Sequence, residues 1–247
     1  MEIKDKVVVI IGATGGIGRV MSAAFGLKGA QLVLVGRDKK ILRTLKLKLQ
    51  ESGCRAHVYP LDVTKRPDVN KLAAGLRKFG RVDIVIHAAG IGIYKKLEDL
   101  MYEEWRKSFA VNVDSVYMVF RALLPLLKKS EKAYCVVTGS GMGKLAVSKR
   151  SAYCASKFAL RGLVLTLAKE FKDTNISFIH LTLGSVLTSF GPLSLEEKEK
   201  KADSGKTYIK PSYLAHTLII KLENETLESE TPIYPPNYYT ESKKGKT

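Results

Sequence analysis

The chain predicts an α/β fold in which one doubly wound parallel sheet carries helices on both faces. Three observations lead there. Short β-branched runs alternate with amphipathic stretches along most of the chain. A glycine-rich turn sits where the first apolar run gives way to the first helical pattern. Residues able to do chemistry fall at the ends of such runs or on the helices that follow, where an open parallel sheet forms its ligand crevice.

The elements follow in order. Residues 6–12, KVVVIIG, read as a strand buried on both faces. Apolar runs at 31–35, 56–59, 82–86, 133–138 and 176–182 predict further strands. Amphipathic stretches at 17–28, 38–52, 67–79, 101–128 and 152–172 predict the crossover helices between them. The polar stretch 189–210 opens with Gly191-Pro192 and holds a short helix over 193–202. A last helix covers 211–223. The prolines of TPIYPPNYY restrict that segment to an edge strand or extended tail. We expect a single domain over 1–240, with 241–247 as a basic disordered tail.

Composition narrows the class. A hydrophobic fraction of 45% is that of an ordinary globular domain. No apolar run of about 20 residues stands out, so no membrane span is expected. Lys4, Asp5 and Lys6 interrupt any secretory pattern at the N-terminus. Cys54, Cys135 and Cys154 have no ligand-like spacing, so no metal site is expected. So sparse and odd a set predicts a reducing, cytoplasmic setting. The net charge of +17 is spread over helix faces and termini rather than gathered in an arginine-rich tract. It predicts a basic surface that attracts anions, not a nucleic-acid module.

The turn Gly12-Ala13-Thr14-Gly15-Gly16-Ile17-Gly18 carries the first chemistry. Glycines there let the backbone turn tightly and approach a pyrophosphate. The helix that follows offers free N–H groups and a favourable dipole to the phosphates. At the end of the second run, LVLVGRD, Gly36 occupies the place of an acid that would accept from an adenine-ribose 2′-hydroxyl. Arg37 follows it and can grip a 2′-phosphate instead. Asp38 is expected to turn into the next helix as its N-cap. The cofactor predicted is therefore NADP(H) rather than NAD(H).

Tyr153 and Lys157 stand four residues apart in a helical pattern and so share a face. A nearby ammonium favours the phenolate and moves a tyrosine toward useful acid–base chemistry. Ser140, thirteen residues before Tyr153, can hold a substrate oxygen. A lone histidine ending an apolar strand, His87, is read as structural.

These motifs, in this order, resemble the short-chain dehydrogenase/reductases, from about residue 5 to about residue 190. The resemblance implies a Rossmann-type sheet and an enzyme that transfers a hydride between NADP(H) and a carbonyl or alcohol substrate. It implies that Asn112, in FAVNVDS, joins Ser140, Tyr153 and Lys157 as a catalytic residue by holding a water that links Lys157 to solvent. It implies cofactor contacts at Gly12, Thr14, Gly15, Gly16, Ile17 and Gly18, at Arg37, and at Asp62 and Val63 in PLDVT. Further contacts are implied at Ala89 and Gly90 in HAAG, at Val186 and Thr188 in LTLGSVLTS, and from Tyr153 and Lys157 themselves. Stretch 189–210 resembles a mobile substrate lid, and helix 152–172 the helix through which relatives pair as dimers or tetramers. The chain departs from the family pattern at Ile11, His87, Ala88 and Leu183, where threonine, two asparagines and proline are usual. Met142, Leu145, Val147 and Phe190 are expected to make the pocket partly apolar, and Lys144, Lys149 and Arg150 either attract an anion or face water. Two alternatives stay open: a redox-neutral epimerase or dehydratase, and a non-catalytic NADP(H)-sensing protein.

Overall fold

The computed structural model describes residues 1–235. Seven parallel strands form one sheet: β1 Val7–Ile11, β2 Gln31–Gly36, β3 Arg55–Pro60, β4 Ile84–His87, β5 Ala133–Thr138, β6 Ile176–Leu183 and β7 Glu230–Ile233. Their order is β3-β2-β1-β4-β5-β6-β7. The expected doubly wound sheet is present as a single domain.

The strands are apolar throughout because the sheet is covered on both faces. Along β1, Val8 and Ile10 enter one core with α1 (Gly16–Leu27), α2 (Lys39–Glu51) and α8 (Pro211–Glu223). Val7, Val9 and Ile11 enter the other with α3 (Arg66–Leu76), α5 (Ser115–Leu127) and α6 (Ser151–Glu170). Alternate side chains of a strand point to opposite faces, so a two-sided core selects an unbroken Val/Ile run. Burying each such side chain contributes on the order of 2 kcal/mol.

Local signals place the ends. Asp38 caps α2 as expected, its Oδ1 accepting from Ile41 N at 2.9 Å. Ser194 and Glu197 form a capping box at the start of α7 (Leu195–Asp203), the helix of the expected lid. Pro232 sits on β7, an edge strand whose outer side has no ladder to lose. The tail 241–247 lies outside the described residues.

Two expected helices are less regular than their patterns. The stretch 67–79 is α-helical only to Leu76 and closes with a 3₁₀ turn at Arg77–Phe79. The stretch 101–128 is α4 (Tyr102–Phe109), a π-helical turn at Ala110–Asp114, then α5. Taken whole, Tyr102–Leu127 is long and apolar enough to cross a membrane by length and composition. Val116, Val119, Phe120, Leu123, Leu126 and Leu127 instead pack against the sheet.

The chain reverses its winding between β1 and β4, since β1 pairs with both β2 and β4. A crevice must open there at the carboxyl ends of the strands.

Candidate active site

A cleft of about 650 Å³ fills that crevice. Its floor is the glycine turn after β1. Gly12 has φ +81, and a Cβ there would lie 2.6 Å from Ala89 N, so only glycine fits the approach of the β1 and β4 turns. A Cβ on Gly18 would collide with Gly12 O, which fixes the first turn of α1 against the loop. Arg19 Nε donates to Thr14 O at 2.8 Å and braces the turn from outside. No side chain caps the N-terminus of α1, so its first N–H groups remain available to an anion. Gly12, Thr14, Gly15, Gly16 and Ile17 line the cleft. Gly18 does not; it is buried behind them and packs the helix onto the loop. The backbone here fits a nucleotide pyrophosphate.

The ends of β2 and β3 form one end of the cleft. Arg37, Asp62 and Val63 line it. Arg37 is exposed, and Gly36 packs beside Thr14. Asp62 Oδ1 accepts from Thr64 N at 3.0 Å and from Thr64 Oγ1 at 2.7 Å. Burial works to raise the Asp62 pKa, but these two hydrogen bonds and the charge of Arg37 together hold it below the usual carboxylate value.

Tyr153 and Lys157 lie one turn apart on α6 and line the same cleft, as do Ser140, Ala89, Gly90, Val186 and Thr188. Lys157 Nζ donates to Thr138 O at 3.0 Å and sits 5.8 Å from the Tyr153 ring centroid. Tyr153 is 5% exposed and Lys157 4%. Burial pushes the Lys157 pKa down to about 8. The expected lowering of the phenol by Lys157 is corrected here. Burial drives the Tyr153 pKa well above 10, Tyr94 adds to the rise, and the hydroxyl of Ser140 and the charge of Arg150 oppose it. Desolvation outweighs nearby charge because Tyr94 and Phe190 pack on the phenol, with ring centroids 5.4 and 6.0 Å away. Ser140 leads the 3₁₀ turn Gly141–Gly143, where its Oγ accepts from Met142 N at 3.1 Å.

Asn112 sits in the π-helical turn, fully buried and outside the cleft lining. Its Oδ1 accepts from Ile91 N at 2.9 Å, and its Nδ2 donates to Ile91 O at 3.0 Å and Ser156 Oγ at 2.9 Å. One amide thus pairs both ways with the backbone after β4, next to Gly90, where a Cβ would lie 3.8 Å from Lys157 Nζ. His87 is also buried away from the cleft. Its Nε2 lies 3.1 Å from Ser115 Oγ, and burial, helped by Lys157, lowers its pKa to about 3, so the ring is neutral.

The walls around Tyr153 come from loops. Met142, Leu145, Val147 and Phe190 line the cleft as expected. Of the three basic residues considered there, Lys144 binds Glu230 at 3.0 Å instead, Lys149 is exposed and off the lining, and only Arg150 faces the cleft. Tyr94, Lys198 and Tyr208 also line it and were not anticipated. Tyr94, an aromatic among the glycines after β4, was a readable signal. Lys198 was not, because LEEKEKKAD looks like a solvated helix; yet its Nζ is buried and donates to Thr188 O at 2.7 Å and to Phe190 O.

Comparison with known proteins places this geometry. The short chain dehydrogenase family profile matches residues 6–199. An uncharacterized oxidoreductase of Staphylococcus saprophyticus is 31% identical over 234 residues, covering 92% of this chain and 94% of that protein. An NAD-dependent glycerol dehydrogenase of Listeria innocua is 30% identical, covering 77% and 74%. An alcohol dehydrogenase of the archaeon Thermococcus sibiricus, solved with 5-hydroxy-NADP, superposes with a TM-score of 0.80 at 30% identity, covering 94% and 96%. Nucleotide turn, buried Tyr–Lys pair and sheet order agree with one conclusion: the chain belongs to the short-chain dehydrogenase/reductase family of oxidoreductases.

Proposed function

We propose that the protein is an NADP(H)-dependent reductase or dehydrogenase acting on a carbonyl or alcohol carbon. The observation that carries this reading is the convergence of Tyr153, Lys157 and Ser140 on the cleft floored by the glycine turn. The nicotinamide dinucleotide, when bound, supplies or accepts the hydride. Ser140 Oγ holds the substrate oxygen as negative charge develops on it. In the direction of reduction Tyr153 is the acid: its neutral phenol gives a proton to that oxygen, and a raised pKa keeps the phenol protonated at neutral pH. In oxidation the proton returns to Tyr153. Lys157 holds positive charge beside the phenol and stabilises it when the proton leaves. Asn112 fixes the backbone after β4 and, beside Lys157, offers a place for the water that relays protons outward.

Arg37 supports NADP(H) over NAD(H), and the solved relative from Thermococcus sibiricus with 5-hydroxy-NADP agrees. The NAD-dependent relative from Listeria innocua makes the choice a real test. Phe158 on α6 and Tyr117 on α5 are large exposed apolar groups, which supports pairing of two copies through these helices.

The reading is tested by following nicotinamide absorbance with NADPH and a panel of aldehydes and ketones. Net NADPH consumption is expected, and Tyr153→Phe should lower it about 10³-fold while leaving NADPH binding intact. Turnover without net NADPH oxidation would instead identify a redox-neutral enzyme. NADPH binding with no turnover of any kind would identify a sensor.

A further inference from the structure

The charges lining the cleft are one-sided. Among the described residues Asp62 is its one acidic lining residue, and it lies at the β3 end, satisfied by Thr64. Arg37, Arg150, Lys157, Lys198 and Lys206 all line the cleft, Arg37 at the β2 end beside Asp62. Lys157 belongs to the proton chemistry. Lys198 is spent on two backbone carbonyls, and Lys206 lies over the Tyr208 ring at 5.2 Å.

Arg150 is different. It leads into α6 three residues before Tyr153. Its guanidinium lies 5.0 Å from the Tyr94 ring centroid, and Tyr94 in turn packs on Tyr153. Among the described residues its Nη1 reaches only Met142 Sδ, at 3.3 Å, a weak acceptor. Among the described residues Arg150 has no carboxylate partner, whereas Arg55, Arg81 and Arg161 each have one. A partly buried guanidinium with five donors and no anion is left incompletely satisfied. Tyr208 also lines the cleft, and its Oη is buried with no hydrogen-bond partner among the described residues.

We propose that Arg150 is the residue that selects the substrate, and that the substrate is a carbonyl or alcohol compound carrying an oxyanion, a carboxylate or a phosphate, beyond the reacting carbon. The fork of the guanidinium matches two oxygens of either group. Tyr94 holds the fork by its ring face and carries the site up against the phenol, so one small molecule spans both. The apolar groups Met142, Leu145 and Phe190 accept the carbon chain between. The proposal rests on the reading of the cleft as the site of carbonyl reduction, and it adds the substrate class.

The test uses matched sets of oxo acids, their methyl esters and oxo-alkyl phosphates of equal chain length, with NADPH and full-length protein. kcat/KM is expected to favour the acid or the phosphate over the ester by at least about tenfold, and whichever leads names the oxyanion. In Arg150→Gln that ratio should fall to about one, and Arg150→Lys should restore part of it, because a point charge keeps attraction but loses the fork. Added salt should shrink the ratio in the wild type. An ester used as well as its acid, or a ratio unchanged in Arg150→Gln, overturns the proposal. The same compounds are also titrated onto NADPH-loaded Tyr153→Phe. Preferential acid or phosphate binding that Arg150→Gln removes supports the oxyanion site even if no carbonyl is turned over, in which case only the reductase reading fails. Equal binding of acid and ester overturns the oxyanion site itself.

Discussion

At the glycine turn an added methyl group has nowhere to go, while on the lid side of the same cleft there is room. A Cβ on Gly12 would stand 2.6 Å from Ala89 N, and one on Gly16 2.6 Å from Thr188 Cγ2. On the lid side a Cβ on Gly191 would meet nothing closer than Tyr94 Oη at 3.8 Å, and Gly205, off the cleft just beyond α7, has nothing within 4 Å. The nucleotide half takes its shape from close approach to glycine, by main chain at Gly12 and Gly18 and by the Thr188 side chain at Gly16. The substrate half is side chain on loop: Tyr94, Met142, Arg150 and Phe190 meet through ring faces and a sulfur contact. A site that must hold one invariant group can be built from main chain, which varies little. A site that selects among substrates needs side chains, which can be exchanged without moving the sheet.

That contrast can be broken or sharpened by substitution. The largest effect on stability is expected from Gly12→Ala. Positive φ and the collision with Ala89 should together cost about 3 kcal/mol or more, read as a lowered urea midpoint and lost NADPH binding. A Gly12→Ala protein as stable as wild type would show that the β1 and β4 turns yield.

Lys157→Met should move stability the other way. Among the described residues no carboxylate pairs with the buried Lys157, and its pKa is lowered from 10.5 to about 8 by burial. Between those values the unfolded chain holds more protons than the folded one, so wild-type stability rises with pH across that window. The methionine variant should lack the rise and be more stable at pH 7 by on the order of 2 kcal/mol, with turnover abolished. Thermal melts from pH 7 to 10.5 check both statements.

Arg37→Ala should weaken NADPH by about tenfold and leave NADH within about twofold, measured by fluorescence titration. An unchanged NADPH affinity would remove the argument for the phosphorylated cofactor. Smallest is Gly205→Ala. With φ +95 but open space around it, it should cost about 1 kcal/mol and leave NADPH binding as it was.

The two halves also differed in how far they could be read in advance. The glycine turn, the strand runs and the N-cap at Asp38 were legible because each depends on residues adjacent in the chain. The four-residue step from Tyr153 to Lys157 was legible for the same reason. Asn112 was legible only through the family resemblance, and its pairing with Ile91, twenty-one residues away, was not. That pairing explains its place better: the π-helical turn aims one amide at both backbone groups of Ile91. Lys144 and Arg150 looked alike in sequence. Glu230, eighty-six and eighty residues further on, takes Lys144 and leaves Arg150 to the cleft.

By itself the sequence determined the alternation of strands and helices, the positions where only glycine serves, and the spacing that brings a phenol, an amine and a hydroxyl to one sheet edge. These rest on backbone sterics and periodicity, which act over a few residues. Tertiary structure decided that burial raises the Tyr153 phenol rather than Lys157 lowering it, and which cations face the cleft without a partner. Desolvation and charge pairing depend on whatever the fold brings near, and Tyr94, Phe190 and Glu230 come from distant parts of the chain.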